Sequence, residues 1–237
     1  MKKLKSQLEN EGFCIVEGIY TEQEIKNIID IIDQTESNNT TFRKSKDLFA
    51  IRQFHKEVPE TLPHIFNDSL KNILLNWFDE GYFITKSIYF DKPADSNWFV
   101  AYHQDLTISV NQKVDLPDYQ GWIQKQNQYS VQPPVNILEN NFTIRIHLDD
   151  TTSENGALKV IPLSHQKGIL RPENFNFKSE KETVCTVKSG GVMFMKPLIL
   201  HASNKTTNQA RRRVIHIEFS NQILPTPLEW SEKHPIF

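Results

Sequence analysis

The stretch Tyr102–Ile108, YHQDLTI, sets a histidine and an aspartate two residues apart in a run suited to a β-strand. In a strand, alternate side chains share a face, so we expect His103 and Asp105 to point one way and Gln104 the other. Such a pair is either two solvated polar groups or two metal ligands. His201, which ends an apolar run and precedes a polar loop, is best placed to add a third ligand. Two histidines and one carboxylate can hold Fe(II) and leave positions open for a chelating co-substrate and O₂, whereas structural zinc prefers a closed shell with thiolates.

An arginine stands eleven residues after His201 and begins a run, Arg212–Ser220, that is typical of a β-strand. In such a strand Arg212 and His216 share one face, and the two arginines that flank Arg212 project to the other. An inward arginine beside a metal can clamp the distal carboxylate of a co-substrate in a bidentate geometry that lysine lacks. Alternatively, all three arginines lie on the surface of an edge strand, and the pattern by itself leaves both readings open.

The N-terminal part of the chain, residues 1–80, is predicted to be mainly helical because apolar residues recur there at helical spacing. Thr21 and Glu24 form a T-x-x-E capping box ahead of a stripe of isoleucines. The predicted elements are a helix over Lys3–Asn10, a strand over Phe13–Val16, a helix that begins after Thr21 and a helix over Asp68–Phe78.

From residue 81 onward the chain consists of short runs rich in β-branched and aromatic residues, separated by turn formers. About eight such runs without long helices between them predict a double-sheet roll or barrel, not a parallel α/β sheet. Residues 111–141 have no regular period and are predicted to form an insertion or lid. The predicted strands are Phe83–Phe90, Val100–Val110, Phe142–Leu148, Ala157–Ile161, Val184–Val187, Val192–Met195, Ile199–Ala202 and Arg212–Ser220.

Composition excludes some classes of partner. The 237 residues carry a formal net charge of −2, which provides no broad positive field for nucleic acid or an anionic membrane. Cys14 and Cys185 have no metal or disulfide spacing and are expected to be buried, reduced thiols. The N-terminus has no apolar run of the length that a signal peptide or membrane span requires. We therefore expect a soluble, cytoplasmic protein that acts on a small molecule, and no protein partner is indicated. His55 has no identifiable partner and is expected at the surface.

Three motifs together resemble one known family. The run HLDDTTSENGALKVIPLSH, His147–His165, resembles the D-x-T-x-x-N-G-x-L-x-x-x-P-G-S-H segment of the phytanoyl-CoA dioxygenase family. YHQDL lies upstream and HASNKTTNQARRR downstream, in the family's order. The similarity covers about residues 80–220, and EGFCIVEGIYTEQEI near the N-terminus resembles the family's opening.

This resemblance implies a mainly β fold with flanking helices around a double-stranded β-helix, a cupin-like jelly roll. We expect one domain over residues 1–237, with the mainly helical part at 1–80 and the double-stranded β-helix at 81–220. The resemblance also implies an Fe(II)- and 2-oxoglutarate-dependent dioxygenase that uses O₂, hydroxylates a small organic substrate and releases succinate and CO₂. Carried over by motif, the iron ligands are His103, Asp105 and His201, and Arg212 binds the C5 carboxylate of 2-oxoglutarate with help from Ser203.

The sequence departs from the family pattern at two positions. Arg145 replaces a tryptophan, and Leu163 stands where the family usually has glycine. Arg145 is expected either to add a second anion contact in the pocket or to point outward with its strand neighbours. The candidate pocket residues are Arg145, Trp98, Gln104 and His216; for Trp98 and His216, a place in the packed core is the alternative.

Two other functions stay open at this point. A jelly-roll protein could keep the three ligands and bind a metal or other ligand without catalysis. A halogenase is disfavoured by Asp105, because halogenating relatives have a small residue there. No basic cluster is evidently aimed at the pocket, so the sequence does not indicate an acyl-CoA site.

Overall fold

A computed structural model of the chain describes residues 1–35, 39–45, 49–78, 80–94, 98–125, 128–171, 173 and 175–236. The helices between Lys2 and Trp77 pack on one side of a large antiparallel sheet, and a smaller antiparallel sheet lies on the other side. The expected mainly β architecture with flanking helices is confirmed. Within the described ranges, no helix combines the length and the apolar character needed to cross a membrane.

The helices are short and amphipathic. In the second helix, Thr21 Oγ1 accepts a hydrogen bond from the Glu24 amide, and Glu24 Oε2 accepts one from the Thr21 amide at 2.8 Å, which confirms the predicted capping box. Isoleucines of this helix face the large sheet and are buried. The α-helices are α1 (Lys2–Glu11), α2 (Glu22–Asp33), α3 (Phe54–Glu57), α4 (Leu62–Ile65), α5 (Asp68–Trp77) and α6 (Val135–Asn140).

The larger sheet contains eight strands among the described residues, in the order β1-β12-β9-β14-β4-β3-β2, with β15 paired to β4. Three of them, β2, β3 and β15, were not predicted, because each is at most four residues long and has no clear alternation. The strands are β1 (Phe13–Val16), β2 (Phe42–Lys44), β3 (Phe49–Arg52), β4 (Phe83–Lys92), β9 (Phe142–His147), β12 (Val192–Met195), β14 (Arg212–Ser220) and β15 (His234–Pro235).

The described remainder of the β structure forms two further sheets, in the orders β11-β10-β13-β5 and β6-β8-β7. The third sheet lies mostly in residues 111–141, where no regular element was predicted, and its aromatic residues pack into an apolar cluster with α6 and the C-terminal segment. The strands are β5 (Val100–His103), β6 (Ile108–Val110), β7 (Gln120–Lys125), β8 (Gln128–Gln132), β10 (Leu158–Val160), β11 (Thr183–Cys185) and β13 (His201–Ser203).

The prediction of one continuous strand over Val100–Val110 is wrong. The chain leaves the four-stranded sheet after His103 and joins the third sheet at Ile108, and the Asp105 amide instead donates to Pro197 O at 2.9 Å. Alternation within this segment could not reveal the break, because each half alternates correctly by itself and the two halves pair with different neighbours.

The two faces of the larger sheet differ in polarity. On β9, Ile144 and Ile146 pack against the helices, whereas Thr143, Arg145 and His147 project into the space between the sheets, and all five are buried. β14 continues the pattern, with isoleucines towards the helices and polar side chains towards the smaller sheet. The polar face is therefore enclosed between the sheets.

The expectation that His55 lies at the surface is wrong. His55 is buried under the C-terminal segment, where its Nδ1 lies 2.8 Å from Ser87 Oγ and 3.6 Å from Glu232 Oε2. Burial lowers the pKa of His55 to about 4, and burial raises the pKa of Glu232 to about 7. His55 is thus neutral at pH 7, and the close approach of the two side chains is a contact, not an ion pair.

Candidate active site

His103, Asp105 and His201 converge at one end of the space between the sheets. His103 Nε2 lies 3.8 Å from Asp105 Oδ1, and His201 Nε2 lies 3.8 Å from Asp105 Oδ2. One ligand atom from each residue lies within 4.8 Å of the others, and the two imidazole centroids are 4.2 Å apart. The sequence prediction that these residues meet is consistent with this arrangement.

Strand pairing brings the two histidines together. β5 and β13 are antiparallel neighbours, and His103 lies directly opposite His201 in their register. Asp105 is held by its own backbone bond to Pro197 O, in the loop that leads to His201. The side chains therefore meet although Asp105 is outside the strand in which alternation was expected to orient it.

Gln104 ties the two ligand-bearing segments together and does not line the cavity. Its side-chain amide donates to Leu198 O at 2.6 Å and Gly168 O at 2.9 Å, and its Oε1 accepts a bond from the Leu170 amide at 2.7 Å. The candidate pocket role of Gln104 is therefore corrected: its side chain points away from the metal ligands and positions the loops that carry them.

Hydrogen bonds fix the tautomers of the two histidines. His103 Nδ1 lies 2.9 Å from Ala101 O, and His201 Nδ1 lies 2.9 Å from Ile199 O. Because a carbonyl only accepts, each Nδ1 carries a proton, and each Nε2 is the ring nitrogen that faces Asp105. Burial lowers the pKa of His201 to about 4, so its imidazole is neutral at pH 7.

Asp105 is ionised at neutral pH. Loss of solvent raises the pKa of Asp105, but the attraction of neighbouring basic groups, among them Lys86, outweighs that effect and holds the pKa below its usual value. Asp105 Oδ2 is buried and accepts no hydrogen bond from any residue that the structure describes. An anionic oxygen without a partner beside two imidazole Nε2 atoms fits a divalent metal, and the two-histidine, one-carboxylate set suits Fe(II).

A cavity of about 270 Å³ opens from this cluster. It extends over the polar face of the larger sheet and is closed on the other side by β5, β10 and β13. Among the other residues singled out from the sequence, those that line it are Trp98, Arg145, Ser203, Arg212 and His216. Arg145 thus takes the inward of its two expected orientations.

Two buried arginines point into this cavity with unused donors. Arg145 and Arg212 are each 8% exposed, and the buried atoms without a hydrogen-bond partner include Arg145 Nε and Arg212 Nε and Nη1. Burial lowers the pKa of Arg145 to about 10, and burial together with the charge of Arg145 lowers that of Arg212 to about 9. Both remain cations at pH 7. Buried guanidinium groups with free N–H donors fit a carboxylate, so these residues fit 2-oxoglutarate.

A chain of hydrogen bonds crosses the floor of the cavity. Arg145 Nη1 lies 3.1 Å from His216 Nδ1, His216 Nε2 lies 3.2 Å from Glu218 Oε1, and Lys86 Nζ donates to the same oxygen at 2.8 Å. Because Arg145 only donates, His216 Nδ1 accepts and His216 Nε2–H donates to Glu218, which makes the imidazole neutral. Asp105, His216 and Glu218 also form a group of potential metal ligands. His216 and Glu218, however, already take part in the hydrogen bonds just described.

Sequence reasoning missed four charged residues that line the cavity: Lys86, Glu218, Arg43 and Arg52. Glu218 follows His216 by two residues in β14, so extending the same alternation would have found it, and Lys86 is its cross-strand partner. The expectation that no basic cluster is aimed at the pocket is wrong, because Arg43 and Arg52 line the cavity. The two arginines were missed because β2 and β3, which carry them, were not predicted.

A family scan matches residues 8–214 to phytanoyl-CoA dioxygenase (PhyH). No curated protein matches the chain in a sequence search.

Solved structures with a similar fold share little sequence identity with this chain. The non-heme alpha-ketoglutarate-dependent carbocyclase SnoK from nogalamycin biosynthesis is 13% identical, with a TM-score of 0.69 over 93% of this chain and 84% of that chain. EctD from S. alaskensis in its apoform is 15% identical, with a TM-score of 0.71 over 93% of this chain and 76% of that chain. HygX from Streptomyces hygroscopicus, with nickel, 2-oxoglutarate and hygromycin B bound, is 13% identical, with a TM-score of 0.67 over 94% of this chain and 88% of that chain.

Proposed function

We propose, since the chain belongs to the phytanoyl-CoA dioxygenase family, that this enzyme hydroxylates a C–H bond of a small organic substrate and releases succinate and CO₂. The family, the enzyme class and the use of Fe(II), 2-oxoglutarate and O₂ were expected from the sequence and are confirmed. The proposal adds the reaction type and the residues that carry it.

The observation that supports the proposal most strongly is the convergence of His103, Asp105 and His201 on a cavity that also holds two buried arginines with free donors. A non-catalytic binding protein needs no such combination of an incomplete metal shell and an anion clamp in one cavity.

In this proposal His103, Asp105 and His201 hold the iron through two neutral imidazoles and one carboxylate. Arg212 binds the C5 carboxylate of 2-oxoglutarate, and Ser203, which is buried and lines the same cavity, assists it. Bound Fe(II) with 2-oxoglutarate and O₂ supplies the oxidising power for C–H hydroxylation. The charges of Fe(II), Asp105, 2-oxoglutarate and Arg212 sum to zero, which avoids the cost of an uncompensated charge in a buried site.

The protein itself orients the metal ligands and excludes water from the site. The carbonyls of residues 101 and 199 lock both imidazole rings, and Gln104 fixes the loops that lead to Asp105 and His201. Ile88, Phe90 and Leu158 supply apolar walls to the cavity. Such walls keep bulk water from the reacting centre and protect a reactive intermediate from side reactions.

Asp105→Ala is the direct test of this assignment. It removes the anionic ligand, so we expect at least a 100-fold loss of Fe(II) affinity, measured anaerobically, and a matching loss of succinate formation from 2-oxoglutarate. Asp115→Ala, which removes an exposed carboxylate from the 111–141 segment, is the control and should leave both unchanged.

Two outcomes would contradict the proposal. Unchanged iron binding and succinate formation in Asp105→Ala would remove Asp105 from the ligand set. Failure of Fe(II) and 2-oxoglutarate to bind together to the unaltered protein would favour the non-catalytic binding protein.

A further inference from the structure

The cavity continues past the metal cluster along the larger sheet to its β2–β3 edge. In the strand register, Arg52 on β3 lies opposite Ile88 on β4, Ala50 lies opposite Phe90, and Arg43 on β2 lies opposite Ala50. All five of these side chains line the same cavity. The two arginines therefore stand at the far end of an apolar wall formed by Ile88 and Phe90.

Positive charge exceeds negative charge in this cavity. Of the described residues that line it, five are lysine or arginine and two are aspartate or glutamate. Lys86 is paired with Glu218 at 2.8 Å. With Asp105, Arg212, iron and 2-oxoglutarate balanced as proposed above, the remaining positive charge comes from Arg145, Arg52 and Arg43.

Arg52 and Arg43 have no acidic partner in hydrogen-bonding or ion-pair contact among the residues that the structure describes. Arg52 is half-buried; its pKa is lowered first by burial and then by the charge of Arg43, and Glu232 opposes this only in part. The Arg43 guanidinium lies 5.5 Å from the centroid of the Trp98 ring, another cavity residue. Two like charges held near each other at an apolar wall repel, and an anion between them relieves that repulsion.

We propose that the prime substrate is an organic anion whose carboxylate or phosphate group is bound by Arg52 and Arg43, with its apolar part along Ile88 and Phe90 towards the His103–Asp105–His201 cluster. This inference rests on the proposed function, because it treats the cavity between the cluster and the β2–β3 edge as the prime-substrate site. It assigns a binding role to β2 and β3, which the sequence did not predict.

The test uses three probes of equal chain length: hexanoate, hexyl phosphate and the neutral 1-hexanol. Each is titrated by calorimetry, without O₂, into protein saturated with Mn(II) and 2-oxoglutarate, so that Arg212 is occupied. A second preparation, metal-free Arg212→Gln, removes that clamp by mutation. In both we expect at least one of the anions to bind at least tenfold more tightly than 1-hexanol. The anion that binds more tightly indicates whether the substrate carries a carboxylate or a phosphate group.

Variants locate the binding. Arg52→Gln should reduce the affinity for the preferred anion about tenfold and leave 1-hexanol unchanged, whereas Arg52→Lys should retain most of the anion preference because the charge persists. Arg43→Gln should act in the same direction as Arg52→Gln. Lys44→Gln is the matched control, since Lys44 is the exposed strand neighbour of Arg43 and does not line the cavity.

Equal binding of the anions and 1-hexanol, or an anion preference that survives in both Arg52→Gln and Arg43→Gln, would overturn the inference. Failure of the proposed function would give a different result: Mn(II) and 2-oxoglutarate would not bind together to the protein. In that case the metal-free Arg212→Gln preparation would still measure whether Arg52 and Arg43 bind the anions.

Discussion

Replacing Arg212 with methionine is expected to stabilise the metal-free protein and, at the same time, to remove its response to 2-oxoglutarate. Burial, together with the charge of Arg145, lowers the pKa of Arg212 from its ordinary value to about 9. At about 1.4 kcal/mol per pH unit, keeping this side chain charged costs roughly 5 kcal/mol. Because the folded-state pKa is lower than the unfolded-state pKa, the cost is complete below about pH 9 and disappears as the pH rises towards the ordinary pKa of arginine. Methionine has similar length and no charge, so we expect about 1–4 kcal/mol of the cost to be recovered at pH 7.

The effect on ligand binding has the opposite sign. Removing one partner of a buried charge pair costs about 2–5 kcal/mol, which corresponds to a Kd for 2-oxoglutarate raised roughly 30-fold or more. A 2-oxoglutarate concentration of 100 times the wild-type Kd stabilises the wild-type protein by about 2.7 kcal/mol, and the same concentration should stabilise Arg212→Met by less than about 1 kcal/mol.

Urea unfolding with and without Mn(II) and 2-oxoglutarate, in the absence of O₂, measures both effects. Arg213→Met is the matched control, because Arg213 is the next residue and its guanidinium already pairs with Asp149 at 2.7 and 2.9 Å. This control should lose stability and keep its response to 2-oxoglutarate. If Arg212→Met loses as much stability as Arg213→Met, or if 2-oxoglutarate still stabilises it by the full amount, the reasoning about Arg212 is refuted.

Two further predictions concern stability away from the cavity. The raised pKa of Glu232 means that its contribution to stability is complete below about pH 4.5 and is lost as the pH rises through about 7. The free energy of unfolding of Glu232→Gln relative to wild type should therefore increase by about 3 kcal/mol between pH 4.5 and pH 8 in urea titrations; parallel pH profiles would contradict this. Gly190→Ala should destabilise the protein more than Gly18→Ala in thermal unfolding. Both glycines have positive φ, but only a Cβ at Gly190 would collide with Tyr20 O; equal losses would show that the collision is relieved.

Much of the candidate site was predictable because the types of its side chains indicate which ligands they can bind. A histidine and an aspartate two residues apart, a later histidine and an arginine eleven residues beyond it were compatible with iron and a carboxylate ligand, and the resemblance to the phytanoyl-CoA dioxygenase family selected that reading. The helix over Glu22–Asp33 and the strand over Arg212–Ser220 were also predictable, because a capping box and a strict alternation are local signals.

Other parts depend on contacts that no local pattern contains. Gln104 was grouped with the pocket, but backbone carbonyls of two distant loops turn its amide away from the cavity. Arg145 had two expected orientations, and its bond to His216 on the neighbouring strand decides between them. His55 was expected at the surface, and only the C-terminal segment that folds over it makes it a core residue.

The amino-acid sequence by itself determined which donors and charges are present and which of them alternate along a strand. Only the tertiary structure decided which of them meet, because strand register and sheet order set the distances between residues that are far apart in the chain. His201 faces His103 through the pairing of β13 with β5. Arg43 and Arg52 reach the cavity only because two short strands add to the edge of the larger sheet, where the free energy of pairing comes from their neighbours and not from their own sequence.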